Sequence, residues 1–181
     1  MNPLISQNLC IRPFRNSDGP AFVAAIHESL STVGAWMSWC RPGFALEHAE
    51  AWFDNCDRNL MEGTAFDLGM FSEDGSELLG GIAVNQINRR QNFANIGYWV
   101  RESRQRRGIA TRAVKAIATY GFDHLGFTRL EIVAPEKNVA SRGVAEKVGA
   151  VFECVARNRV VVFGRPEAAA VYSLIPGQVT S

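Results

Sequence analysis

The sequence predicts one α/β domain, residues 1–181, on a mixed and mostly antiparallel sheet flanked by helices. Three observations carry that expectation. Three strand-like runs follow one another across short polar turns, which makes an antiparallel meander. A strand, a helix and a strand then succeed each other over residues 93–134, long enough for a right-handed parallel crossover. Finally, 181 residues with 47% hydrophobic and 20% charged content suit a single globular core. No repeat, low-complexity segment or linker divides the chain.

Residues 9–15, Leu-Cys-Ile-Arg-Pro-Phe-Arg, open a strand with Leu9 and Ile11 on one face, and Pro13 sets it near an edge or end. Asp18 is a plausible N-cap for a helix over 20–29, with Pro20 in its first turn. Residues 31–43 are irregular and, with Phe44, aromatic: Trp36 and Trp39 stand around Met37. Those rings read either as core packing or as a wall of a binding pocket. A helix over 46–61 follows from Leu46, Ala49, Trp52, Phe53, Cys56 and Leu60, and Gly63 ends it. Strands are expected at 65–71 and 78–86, joined by a hairpin-type turn through Gly75, and at 93–100. A helix over 108–122 carries Ile109, Val114, Ile117, Ala118 and Phe122 inward. A short strand at 129–134, a helix at 138–148 and strands at 151–154, 159–163 and 168–175 complete the chain.

Charge and cysteine usage exclude several functions. The net charge of +1 argues against a general nucleic-acid binder. Cys10, Cys40, Cys56 and Cys154 are scattered, with no Cys-x-x-Cys pair, so neither a metal site nor a redox dithiol is expected. The chain opens without a signal-like segment and has no membrane-length apolar run, which makes a cytoplasmic location the expectation.

The chemistry concentrates in Ser103-Arg-Gln-Arg-Arg-Gly-Ile-Ala-Thr111, between a strand and a helix start. The first N–H groups of a helix lack intrahelical partners and lie at the positive end of its dipole, and Gly108 lets a ligand come close to the backbone. Arg101, Arg104, Arg106 and Arg107 add attraction for phosphate. Neither the dinucleotide fingerprint nor the P-loop is present.

Gln105-Arg-Arg-Gly108-Ile-Ala110 fits the pattern Gln/Arg-x-x-Gly-x-Gly/Ala. Asn138-Val-Ala-Ser141, then Glu146-Lys147-Val-Gly149 and Phe152-Glu153, follow about one strand later. Together they resemble the GNAT superfamily of N-acetyltransferases, in its RimJ/RimL-like branch, and the likeness runs from residue 9 to residue 175. The resemblance implies a sheet splayed between two parallel strands, here 93–100 and 129–134, with acetyl-CoA in the gap. It assigns the pyrophosphate to the main chain of Gln105, Arg106, Arg107, Gly108, Ile109, Ala110 and Thr111, with Tyr98 and Arg104 beside the cofactor. Main-chain groups of Trp99 and Val100 would pair with the pantetheine, and an N–H near Trp99 would serve the oxyanion. Asn138 would bond the pantetheine, against the alternative of simple helix capping, and Ser141 would lie near the sulfur.

Many members place a Tyr where this chain has Ala145, so Ser141 or a water is expected to serve the leaving thiolate. An acid is often found on the strand before the loop, but Asn95 stands there, and Glu102 reads as a surface charge. His27, His48 and His124 have no acid partner in the sequence, and the general base is not named. Trp36, Trp39 and Asn95 are the candidate acceptor-pocket residues. The implied acceptor is a primary amine, foremost a protein N-terminus of the ribosomal-protein type. The alternatives are a small amine (a polyamine, amino acid or antibiotic), with Glu28 and Glu47 as available acids, a non-catalytic CoA-binding module, or a generic phosphate-binding domain. Homodimers occur in the family, and nothing in the sequence specifies one.

Overall fold

The computed structural model describes residues 1–178. Among the described residues eight strands form one sheet: β1 Leu4–Ser6, β2 Leu9–Arg12, β3 Phe66–Ser72, β4 Leu78–Asn88, β5 Phe93–Val100, β6 Arg129–Pro135, β7 Val151–Val162 and β8 Arg165–Leu174. Their spatial order is β1-β2-β3-β4-β5-β6-β8-β7, and every pairing except β5 with β6 is antiparallel. The helices are α1 Gly19–Glu28, α2 Leu46–Glu62, α3 Ile109–Asp123 and α4 Val139–Lys147.

Strand periodicity divides the core in two. On one face Leu68, Met70, Ile82, Val84, Ile96, Leu130 and Ile132 pack against Ile109, Val114 and Ile117 of α3 and Ala145 of α4. On the other, Phe71 and Leu78 meet Phe22 and Ile26 of α1 and Phe53 and Cys56 of α2, with Trp99 packed alongside. The sheet therefore has an α3/α4 face and an α1/α2 face, and β5 contributes side chains to both.

The parallel pair is short. Phe93, Ala94 and Asn95 pair with Arg129, Leu130 and Glu131, and the ladder stops there. Beyond it β6 continues to pair with β8 as far as Pro135, and β5 with β4 as far as Val100. The sheet is thus splayed between β5 and β6, as the resemblance implied.

Three local expectations change. Asp18 does not cap α1: its carboxylate accepts from the Arg12 guanidinium at 2.7 and 2.9 Å and from the Arg15 N–H at 2.8 Å. A charged, buried neighbour outcompetes a helix N-terminus for the same oxygens. Strand β2 stops at Arg12, before Pro13, and lies inside the sheet because β1 pairs outside it. The two strands expected at 151–154 and 159–163 are one strand, β7. Register shifts between Phe152 and Cys154 and between Ala156 and Val160 absorb the polar Arg157-Asn158-Arg159 stretch.

Candidate active site

Two cavities flank the distal half of β5. The larger, about 930 Å³, occupies the splay and is bounded by the 104–111 loop, the start of α4 and the segment after α1. The smaller, about 490 Å³, lies on the α1/α2 face over β3, β4 and β5. Met37, Tyr98 and Trp99 line both, so the cavities meet at the splay.

The splay cavity begins at the α3 N-terminus. Gly108 immediately precedes the helix at φ 71°, the left-handed region in which Gly is favoured, and Arg106 is also left-handed at φ 61°. That turn directs the chain from β5 into α3, leaving the first N–H groups of the helix without intrahelical acceptors. Arg104, Gln105, Arg106, Gly108, Ile109, Ala110 and Thr111 line the cavity, whereas Arg107 is exposed and does not.

The loop is braced from below. Glu28 accepts from Arg101 at 2.8 and 2.6 Å and from the Ser103 hydroxyl at 2.8 Å. The Arg101 bond is the main reason that the Glu28 carboxyl sits near 2. Arg104 donates to Glu77 at 2.7 Å. Two of the four arginines expected to attract phosphate are therefore engaged with carboxylates, and Glu28 is a loop brace rather than an acceptor-site acid. Glu102 likewise is not a solitary surface charge, because it accepts from Ser31 at 2.7 Å and Thr32 at 3.2 Å.

The Trp99 main chain does not face the splay, contrary to what the resemblance implied. The Arg101 N–H donates to the Leu79 carbonyl at 2.9 Å, and the Gly81–Trp99 register continues that ladder. Alternation along a strand turns the Trp99 main chain toward β4, where it is spent on the sheet. On the opposite side, the Asn92 carbonyl accepts from Thr128 at 3.2 Å and the Val100 carbonyl from Gln105 Nε2 at 2.9 Å. The main-chain groups left facing the splay beyond the ladder are therefore the Ile96 carbonyl, the N–H and carbonyl of Tyr98 and the Val100 N–H. These unpaired groups, with the glycine-led helix start, are a fit for an extended amide chain ending in phosphates.

Side chains from β5 and α4 converge there. Tyr98 Oη donates to the Ser141 carbonyl at 2.9 Å and lies 3.1 Å from Ser141 Oγ. Burial is the main cause that pushes the Tyr98 phenol up to about 12, so it stays protonated. The position where many relatives carry a Tyr, Ala145, is fully buried in the α3/α4 core, and a phenol reaches the site from β5 instead. Asn138 Oδ1 accepts from the Ser141 N–H at 3.0 Å, so it caps α4 while also lining the splay. Lys147, part of the Glu146–Gly149 pattern but given no role by it, lines it too, as does Thr32, which no motif singled out.

The smaller cavity is mainly aromatic, with Trp39, Phe44 and Trp52 about it and Asp67, His48 and Asn85 as its polar groups. Of the expected acceptor-pocket residues, Trp39 lines this cavity and Trp36 lines the splay. Asn95 is not in either wall: its Nδ2 donates to Asn85 Oδ1 at 2.9 Å, holding the amide that is. His48, read as an ordinary helix residue, has a fixed tautomer because Nδ1 accepts the Ala45 N–H at 2.9 Å. Asp67 had no motif to mark it. Burial raises its carboxyl above the ordinary range, against a hydrogen bond from Asn59.

A sheet opened beside a glycine-led helix start, with a second cavity meeting it, defines a fold and site built for group transfer from a phosphate-tailed donor. The chain belongs to the acetyltransferase (GNAT) domain family, which it matches over residues 8–151. A candidate ribosomal N-acetyltransferase of Bacillus subtilis, YdaF, is 27% identical over 172 residues, spanning 94% of this chain and 93% of that one. The structure of a candidate ribosomal-protein-serine acetyltransferase from Vibrio cholerae is 32% identical with a TM-score of 0.86, over 97% of this chain and 98% of that one. Mycobacterium smegmatis RimJ, solved with a CoA disulfide, shares the fold at 21% identity and a TM-score of 0.86, covering 99% and 88% of the two chains. The protein is an acetyl-CoA-dependent N-acetyltransferase of the RimJ/RimL-like kind. Among the described residues no helix is long and apolar enough to cross a membrane, and no cluster of three or more acidic, His or Cys side chains could hold a metal.

Proposed function

We propose that the protein acetylates the N-terminal α-amine of a polypeptide by direct attack of that amine on the thioester. The meeting of the two cavities at Met37, Tyr98 and Trp99 carries this reading, because donor and acceptor can enter from opposite faces of β5. Trp39 and Trp52, 38% and 40% exposed, leave the smaller cavity open toward solvent, which suits the end of a longer chain. The ribosomal-protein names of the similar proteins point the same way.

Bound acetyl-CoA supplies an acetyl group activated as a thioester. The helix start at residues 108–111 and the loop before it hold the pyrophosphate, and the splay-facing groups of Tyr98 and Val100 align the pantetheine amides. An N–H of that same edge, Tyr98 or Val100, is directed at the oxygen that gains charge as the amine adds. The amine reaches the junction from the aromatic cavity and loses its proton to water. Ser141 Oγ turns its proton toward the departing sulfur, and the neutral Tyr98 phenol turns its own from the Ser141 carbonyl to Ser141 Oγ, 3.1 Å away.

The test is an acetylation assay on unblocked peptides, their N-acetyl counterparts carrying a free lysine, and small amines. The expected result is a mass gain at the α-amine of the unblocked peptides alone. Faster acetylation of polyamines or free amino acids than of any peptide refutes the acceptor assignment.

A further inference from the structure

Asp67 is the second residue of β3 and lines the aromatic cavity half-buried. Its setting differs from that of the other acids that share such partly buried ground. Asp18, Glu28, Glu77 and Glu131 each face an arginine, and Glu167, half-buried on β8, lines neither cavity. Among the described residues Asp67 makes no ion pair, and its environment from α2 consists of Asn59, the Cys56 thiol and, across the same cavity, His48. A carboxylate kept in an apolar wall without a cation is electrostatically incomplete, since one hydrogen bond from Asn59 offsets only part of its desolvation. The aromatic faces of Trp39, Phe44 and Trp52 around it also favour a cation over an anion or a neutral polar group.

Strand register fixes how far this acid stands from the chemistry. Asp67 pairs with Ala83, and Ala83 with Gly97, one residue from Tyr98. Two strand spacings put the Asp67 and Gly97 backbones about 10 Å apart, and the splay lies beyond Gly97. A base must come within roughly 3 Å of its proton, or reach it through one water, so Asp67 is out of range of the attacking nitrogen. Between the two, Ala83 and Gly97 present almost no side chain, which leaves an open lane across the sheet from Asp67 to the junction.

We infer that Asp67 is a specificity residue, receiving a second, positively charged group of the acceptor about 10 Å from the reacting amine. This rests on the peptide N-terminus reading above. An extended chain advances about 3.4 Å per residue, so a basic side chain at the second to fourth position of the acceptor reaches Asp67 while the α-amine sits at the junction. The recognised substrate class is a polypeptide N-terminus with an early lysine or arginine.

The experiment compares hexapeptide amides with lysine, norleucine or glutamate scanned through positions 2 to 4, with 1,8-diaminooctane and octylamine beside them. Turnover is measured on the full chain, and peptide affinity is measured separately by calorimetry in the presence of desulfo-CoA. The wild type is expected to prefer lysine to norleucine by about 10- to 100-fold in kcat/KM at one position, the span of a charge-assisted contact. Asp67→Asn should erase that preference with CoA affinity unchanged, which also certifies the fold, and Asp67→Glu should restore part of it. Equal use of lysine and norleucine peptides by the wild type, or equal loss on both in Asp67→Asn, overturns the inference. An Asp67-dependent preference confined to the diamine overturns its peptide form and assigns the second charge to a free diamine. Asp67-dependent binding of lysine peptides without acetylation upholds the inference and removes the acceptor reading instead, whereas no such binding overturns it.

Discussion

The two cavities that meet at β5 are built in different ways. The splay is made largely of main chain: unpaired strand groups, a left-handed glycine and a helix start. Its ligand contacts depend on backbone shape, which a short local motif can encode. The aromatic cavity is made of side chains from α1, the segment after it, α2 and three strands. No local pattern encodes such a surface, and each residue in it can change without altering the fold. On the assignment proposed above, donor recognition is fixed by the architecture, and acceptor recognition is adjustable upon it.

Substitutions on either side of β5 test whether the two cavities act independently. The largest effect is expected from Gly108→Val. A β-branched residue is strained at φ 71°, and its side chain would enter beside Arg112, whose Nη1 lies 3.4 Å from the site of a Cβ. CoA affinity should fall by roughly 100-fold, equivalent to about 2.7 kcal/mol, while the KM for the amine scarcely moves; calorimetry and initial rates measure both. An unchanged CoA affinity would mean that backbone shape is not what holds the donor.

Next come Ser141→Ala and Tyr98→Phe, each expected to lower kcat by about 10- to 100-fold at unchanged CoA affinity. Because the two hydroxyls share one contact, the double variant should lose little more than the worse single one. Additive losses would separate their roles. On the other side of β5, Trp39→Ala should raise the acceptor KM by about 5- to 30-fold and leave CoA binding intact, the loss of one aromatic wall. If it weakened CoA binding equally, the cavities would not be independent.

The smallest effect belongs to the brace. The Glu28 carboxyl is held near 2 against an ordinary value of 4.5, so its folded form binds its proton less readily than the unfolded chain does. Its contribution is full above about 4.5 and is lost as pH falls through about 2. Glu28→Gln should cost about 1 kcal/mol of stability at neutral pH, reduced by solvent screening, with a few-fold weaker CoA affinity. The difference between wild type and variant in urea midpoint should vanish in acid, which an unfolding series across pH would show.

Much of the splay's geometry was legible because its signals are local. Gly108 and the apolar spacing of α3 identify a helix start whatever surrounds them, and the Asn138–Ser141 spacing follows an equally short pattern. What escaped the sequence depends on register and on tertiary neighbours. Trp99 and Tyr98 are adjacent, and only the pairing with β4 determines which main chain is free. Asp67 is an isolated acid between Phe66 and Leu68, notable only once α2 and the aromatic residues close around it. Asp18 looked like a cap until Arg12 was placed beside it. The three-residue β1 is too short for periodicity to reveal, and β7 hid its continuity behind a bulged, arginine-containing stretch.

The short parallel ladder has a consequence for exchange with solvent. Along the distal half of β5, the amides of Gly97 and Trp99 are locked to β4 and that of Ile96 ends the β6 ladder, whereas those of Tyr98 and Val100 have no strand to bond. In the free protein, neighbouring residues of one strand should thus alternate between slow and fast deuterium uptake. An extended donor chain laid along that edge would silence the fast set alone, so every second amide becomes a reporter of occupancy that needs no acceptor and no turnover.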